Sequence, residues 1–308
     1  MMLSLSTNWC NRRIDSGEEI ADKALELGFS ELELGFHTTD AQVEGFRRRI
    51  DQIPIGSIHA FCPVPISAPQ GYPELYSLAS FRRVDRELAR VHILKNIEFA
   101  SSIGAATVVL HAGRIPMGTF FSCPGTHTMR RLLEKNGNNI RGRRYMKELS
   151  FAAKVRTHRA AKLLDIFKAE LTQLIPALEK NGVVLALENM PYFEGFPNIA
   201  EMNALSAEFK GAPVMAWFDT GHDRICRSHG WTPPSQQPVA NTVRGLHLND
   251  VNDFYDDHLA PGDGKVDFAE LAPLMRTVRH VVFEPNSNVK EERLKAAVKF
   301  ISGLTDDE

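Results

Sequence analysis

No two of the four cysteines (Cys10, Cys62, Cys123 and Cys226) fall into a C-x-x-C pair, which argues against a disulfide framework and for a reduced compartment. Neither sign of charge dominates: 36 Lys and Arg stand against 38 Asp and Glu, a formal net of −2. That balance argues against bulk nucleic-acid binding and against a polyanionic partner. No run approaches the ~20 apolar residues that a membrane-spanning helix needs. The N-terminus, MMLSLSTNWC, lacks the basic start and apolar stretch of a signal peptide, so a cytoplasmic chain with no membrane partner is expected. Apolar residues make up 43% of the 308 positions, enough for a sizeable core. One α/β domain is expected over 1–304, with a short tail at 305–308.

Eight short runs rich in β-branched and apolar residues read as buried strands: 3–6, 32–36, 55–61, 107–113, 183–188, 214–219, 244–249 and 280–284. They are continuous rather than alternating, as befits parallel strands covered by helices. Helical stretches lie between them. Ser16 with Glu19 signals a capped start and Gly28 a stop. Long amphipathic segments run over 82–104 and 158–182, the latter with Pro176 as an expected kink, and shorter ones over 267–275 and 290–301. This alternation predicts a (β/α)₈ TIM barrel. A doubly wound sheet would need a glycine-rich phosphate loop after the first strand, and STNWCNR offers none.

Strands 4 and 5 are too far apart for a barrel connection, so a basic helical insertion (about 114–157) is expected over the catalytic face. From Arg114 to Lys168, thirteen Lys and Arg face three acids. Such a charge run reads as a solvated helical surface or as a clamp for an anionic substrate, for which Arg141, Arg143 and Arg144 are the candidates. The apolar residues around 120–125 mark a candidate surface for a homo-oligomeric partner.

The chemistry gathers at strand ends. Glu188 closes VVLALE, Asp219 closes VMAWFD, His247 lies in GLHLND and Glu284 in HVVFEPN. In a barrel these C-terminal tips form one arc around the mouth. Carboxylates ~4 Å apart repel by about 4 kcal/mol per pair at an effective dielectric of 20, which a divalent cation offsets. Three acids and one imidazole form a hard, mostly oxygen donor set suited to Mn²⁺, Mg²⁺ or Co²⁺. His59, His111, His222, Asp256 and His258 surround that set as additional ligands or supporting groups, and Asp250 is a candidate supporting residue. His37, His92, His127, His158, His229 and His280 read as structural.

These motifs (SIHAFCP, LHAG, LALEN, FDTGH, LHLND, DDHLAPGDGKVDF and FEP) resemble the xylose isomerase-like TIM-barrel superfamily along essentially the whole chain. That superfamily includes sugar and sugar-phosphate isomerases and epimerases, and endonuclease IV. Resemblance to the ketose epimerase branch implies that Glu188, Asp219, His247 and Glu284 bind one metal. It further implies that Glu188 and Glu284 act as the acid/base pair, and that Glu194, His222 and His59 hold substrate hydroxyls. Some of those epimerases carry an arginine where Asp253 stands. Resemblance to endonuclease IV implies instead a three-zinc site built from His59, His111, Glu188, Asp219, His222, His247, Asp256, His258 and Glu284. The mild net acidity favours the first reading, with a small carbohydrate as substrate. Dehydration of a keto-polyol or keto-acid, or a non-catalytic binding barrel, are the remaining alternatives.

Overall fold

The computed structural model describes residues 2–118, 125–255 and 258–305. Eight strands run parallel around a closed barrel: β1 (Ser4–Ser6), β2 (Glu31–Leu34), β3 (Ile55–His59), β4 (Thr107–Leu110), β5 (Val184–Glu188), β6 (Val214–Asp219), β7 (Val243–Leu248) and β8 (His280–Phe283). Each pairs with its successor, and β8 closes on β1 through Ser4↔Val282 and Leu5↔Phe283. This is the (β/α)₈ architecture expected from the alternation of runs.

The strands are short and buried on both sides. Outward side chains such as Leu5, Leu32, Leu185 and Leu246 pack beneath the helices. Inward, Val109, Ala186, Trp217 and Val282 form a separate core that fills the barrel. Trp217 fits because β7 carries glycine opposite it: a Cβ on Gly245 would lie 2.4 Å from the indole. Below this plug, at the N-terminal end, Ser4 donates to Glu31 (2.6 Å), His280 meets both Glu31 (3.1 Å) and Thr107 (3.0 Å), and Arg244 donates to Thr107 (3.1 Å). His280 is therefore a satisfied interior group, as its sequence context suggests.

The helices are α1 (Gly17–Leu27), α2 (Asp40–Arg47), α3 (Arg83–Ser102), α4 (Thr126–Lys135), α5 (Arg143–Asn181), α6 (Ile199–Glu208), α7 (Thr220–Ser228), α8 (Phe268–Met275) and α9 (Glu291–Thr305). Ser16 accepts from the Glu19 N–H, and Gly28 ends α1 at φ 95°, a left-handed conformation that costs glycine little. Three helices go beyond the sequence expectation. α2 and α6 are each set by a complete capping box, Thr39 with Gln42 and Asn198 with Glu201, and α7 starts on the Asp219 side chain. α5 begins at Arg143 rather than at His158 and runs 39 residues, so the later part of the segment expected as a separate insertion continues a barrel helix. A two-residue antiparallel ribbon (Gly113–Arg114 with Gly195–Phe196) ties the β4 and β5 exits together. No helix among the described residues is long and apolar enough to cross a membrane.

Candidate metal centre

Glu188 and Asp219 are the last residues of β5 and β6, His247 is the penultimate residue of β7, and Glu284 directly follows β8. Parallel register aligns them, Asp219 being paired with His247 in the ladder. All four are at most 6% exposed, and their donor atoms lie within 4.8 Å of one another. His247 Nδ1 is the hub, 3.1 Å from Glu188 Oε1, 3.3 Å from Glu284 Oε2 and 3.8 Å from Asp219 Oδ2.

Each member is held by a second group. His247 Nε2 contacts Glu33 Oε1 (3.0 Å), and Ser57 donates to the other Glu33 oxygen (2.9 Å). A carboxylate on the far nitrogen orients the imidazole and leaves Nδ1 facing the acids. Asn8 donates to Glu284 Oε1 (3.0 Å). Asp219 accepts from the His222 N–H (2.7 Å) and from Asn249 Nδ2 (2.7 Å), while Asn189 bonds its backbone on both sides. Gly221 of the DTGH motif is what admits Asn249, since a Cβ there would meet its side-chain oxygen at 1.8 Å.

Further histidines ring this set. His59 Nε2 and His111 Nε2 each lie 3.2 Å from Glu188 Oε2, and His222 Nδ1 lies 3.5 Å from Glu188 Oε1. His222 Nδ1 is also 2.9 Å from the Asn189 carbonyl, and His258 Nδ1 is 2.8 Å from the Glu284 carbonyl. The His111 ring nitrogens are buried without a hydrogen bond of good geometry. Glu188 is thus shared by three ligand groupings: the main tetrad, His59/Glu188/His247 and His111/Glu188/His222. Asp256 lies outside the described residues.

Burial works against charge here, and the neighbours decide the outcome. Burial opposes ionisation of Glu188, yet His247 and His111 hold its carboxyl well below the usual range. Burial likewise opposes protonation of His247, yet Glu284, Glu33 and Glu188 hold it well above the usual imidazole value. Asp219 is raised, by burial first. Three carboxylates converging in a dry site demand positive charge. The oxygen-rich donor set and the oriented His247 Nδ1 fit a divalent cation.

Above the tetrad opens a cavity of about 440 Å³ whose wall includes Asn8, Arg12, His37, Tyr72, Tyr192 and His222. Glu194 is not part of it. Its carboxylate accepts from the Thr126 N–H (2.8 Å) and hydroxyl (2.7 Å), which fastens the β5–α6 loop to the start of α4. Arg141, Arg143 and Arg144 cluster at the N-terminal end of α5, all three exposed, and also lie off the cavity wall. The apolar stretch 120–125 falls outside the described residues except for Gly125. Asp250 does not face the tetrad directly: it gathers the N–H groups of Gly262, Gly264 and Val266 (3.0, 2.7 and 2.9 Å) and pairs with Leu259 through the backbone. It thereby folds the loop that carries His258. Glu33, Asn8 and Arg12 escaped the sequence reading. Glu33 lies inside a short strand and the other two in turns, and no local pattern marks their distant partners.

A curated relative, an uncharacterized protein of Methanocaldococcus jannaschii, is 24% identical over 135 residues, and the match covers 42% of this chain and 46% of that protein. The chain therefore spans about half the length of the curated relative it matches. Solved structures align over nearly the full length. A D-tagatose 3-epimerase-like protein gives a TM-score of 0.63 at 20% identity, covering 99% of this chain and 100% of that one. A 3-keto-D-glucoside 4-epimerase of E. coli gives 0.66 at 15%, covering 98% and 99%. A protein of Thermus thermophilus, soaked with zinc chloride, gives 0.59 at 22%, covering 98% and 96%. At these identities the likeness is one of fold. Residues 21–303 match the family described as the xylose isomerase-like TIM barrel, and the chain belongs to that family.

Proposed function

We propose that the protein is a divalent-metal-dependent isomerase or epimerase of a small sugar, sugar phosphate or related keto-polyol. The observation that carries this reading is the placement of two glutamates about one imidazole nitrogen, 3.1 Å and 3.3 Å from His247 Nδ1, with Glu284 on the wall of an open cavity. Glu188 comes from β5 and Glu284 from beyond β8, so the two approach a substrate from different sides. The epimerase and the epimerase-like protein among the fold relatives support the reaction class.

Glu188, Asp219, His247 and Glu284 would hold the ion. When bound, it would polarise the substrate carbonyl and supply positive charge to the developing enediolate. Glu284, its plane fixed by Asn8 at Oε1 and its carboxyl held below the usual range against burial by His247, His258 and His59, is suited to take the proton from the carbon beside the carbonyl at Oε2. For isomerisation Glu284 would return the same proton to the neighbouring carbon; for epimerisation Glu188, on the other side, would pass to the opposite face a proton taken from the histidines whose Nε2 atoms lie 3.2 Å from its Oε2, His59 and His111. His222 and His59 face the cavity and bind the remaining hydroxyls. Burial of the tetrad keeps water from competing for the transferred proton.

Incubation with Mn²⁺ in D₂O should place deuterium on the carbon next to the carbonyl of a ketose, read by NMR. Glu188→Gln and Glu284→Gln should each lower turnover by roughly 10²–10⁴-fold, the usual worth of a general acid or base. Absence of exchange with every ketose, keto-acid and sugar phosphate tried would overturn the reading. The sharing of Glu188 by three ligand groupings favours a second one, a three-zinc nuclease of abasic-site DNA. Metal analysis separates them: one ion per chain supports the isomerase, whereas three zinc ions with nicking of abasic DNA support the nuclease.

A further inference from the structure

Among the described residues, the wall of the cavity above the tetrad carries one uncompensated cation. Its charged members beyond the metal centre are few. Glu74 is neutralised by Arg114, which grips both carboxylate oxygens (2.5 Å each) and stacks over Tyr192 at 3.5 Å. His37 is held neutral, its imidazole lowered to about 4 by burial first and by the nearby Arg12 charge second. Arg12 itself is exposed on the wall and has no ion-pair partner among the described residues. The same wall carries neutral hydrogen-bonding groups, Gln70, Tyr72, Asn286 and Ser287.

The position of Arg12 is set by the same turn that fixes Glu284. After β1 the chain coils through i→i−3 and i→i−4 bonds, Asn11 N–H to Thr7 O (2.8 Å) and Ile14 N–H to Cys10 O (3.0 Å) among them. Asn8, at the start of this turn, donates to Glu284 Oε1, and Asn8, Arg12 and Glu284 line the same cavity. A substrate that reaches Glu284 therefore shares the cavity with the Arg12 guanidinium.

We infer that Arg12 anchors a terminal anionic group on the substrate, a carboxylate or a phosphate, several carbons from the carbonyl that the glutamates serve. This rests on the reading of the tetrad as an isomerase or epimerase centre. It also transfers to the β1 turn the anion-binding role that the sequence suggested for Arg141, Arg143 and Arg144. A guanidinium beside neutral donors matches either anion through paired hydrogen bonds. A neutral sugar would leave that cation unused.

The test compares D-fructose with the same ketohexose bearing phosphate (D-fructose 6-phosphate) or carboxylate (D-fructuronate) at C6. Calorimetric titration of the Mn²⁺-loaded protein should show at least one charged ketose binding about tenfold or more tighter than D-fructose, the worth of one charge-assisted contact. Which of the two leads identifies the anion. Arg12→Gln should bring charged and neutral ligands to within about threefold of each other, whereas Arg13→Gln, whose guanidinium is spent on Trp9, should keep the preference. Equal affinities in the wild-type protein, or a preference that survives Arg12→Gln, would overturn the inference. Deuterium exchange on the same ligands separates the two readings. Exchange without charge preference removes the anchor alone, and charge-selective binding without exchange removes the reaction alone and keeps the anchor.

Discussion

His247 is useful to a metal only if one ring nitrogen faces the acids and the other is pinned, and Glu33 supplies the pin at 3.0 Å from the core of the barrel. Both side chains are fully buried, so the pair is insulated from water and its geometry is tightly held. Glu33→Gln keeps the shape and one hydrogen-bond acceptor but removes the charge. Mn²⁺ affinity, measured by EPR titration, should fall 10–100-fold, with little change in the far-UV spectrum. Unchanged affinity would mean that Glu33 serves only to fill the barrel. At this scale the sequence is legible where a residue ends a run: Glu188, Asp219, His247 and Glu284 could be picked out because each interrupts an apolar stretch at its C-terminal tip. Glu33 shows no such signal, because the residue it serves lies 214 positions away. The same distance effect hid Asn8; Glu194, which the family resemblance placed on the substrate, has its carboxylate engaged at α4.

Between elements, the first two helices meet at a glycine contact. A Cβ on Gly17 would lie 2.0 Å from the Gln42 carbonyl oxygen and 2.8 Å from the Phe46 nitrogen, and one on Gly45 would lie 2.8 Å from the Gly17 Cα. Backbone cannot yield as a flexible side chain can, so Gly17→Ala should destabilise by about 2–3 kcal/mol in urea unfolding, at the upper end of overpacking costs. Gly303 provides the contrast. It sits in α9 with nothing within 4 Å of its would-be Cβ, and Gly303→Ala should be neutral or stabilising by up to about 1 kcal/mol. If the two substitutions cost the same, the close approach of α1 and α2 is not what glycine serves. Long helices such as α3 were legible from their apolar periodicity. The short ones were not: α2 and α7 span 8 and 9 residues, barely two turns, and are defined by caps and packing rather than by pattern. The start of α5 was missed because its first turns are largely exposed and basic, which reads as loop until a neighbour covers one face.

For the molecule as a whole, the tetrad brings together the ends of four consecutive strands, β5 to β8, at the open end of the barrel, and a cation held there would act as a cross-link that exists only in the folded state. The alternation of runs made the eight-stranded closure readable, since a parallel strand buried on both faces leaves a continuous apolar signature. The charges that the closure brings together could be inferred only by assuming the barrel first. A ligand that binds the folded chain alone stabilises it by about 2.7 kcal/mol at a hundred times its dissociation constant. Unfolding entropy of ~2.1 cal/mol/K per residue gives about 0.65 kcal/mol/K for a chain of this length, so saturating Mn²⁺ should raise Tm by roughly 4 °C and EDTA should reverse the gain. The rise should continue with the logarithm of free metal concentration above saturation, because linkage has no plateau. Asp219→Ala removes a ligand, and its melting temperature should stay flat across the same titration. A metal-independent Tm in the wild-type protein, or an equal rise in the variant, would place the stabilising ion elsewhere and leave the convergence of Glu188, Asp219, His247 and Glu284 to the imidazolium protons that balance it in the metal-free chain.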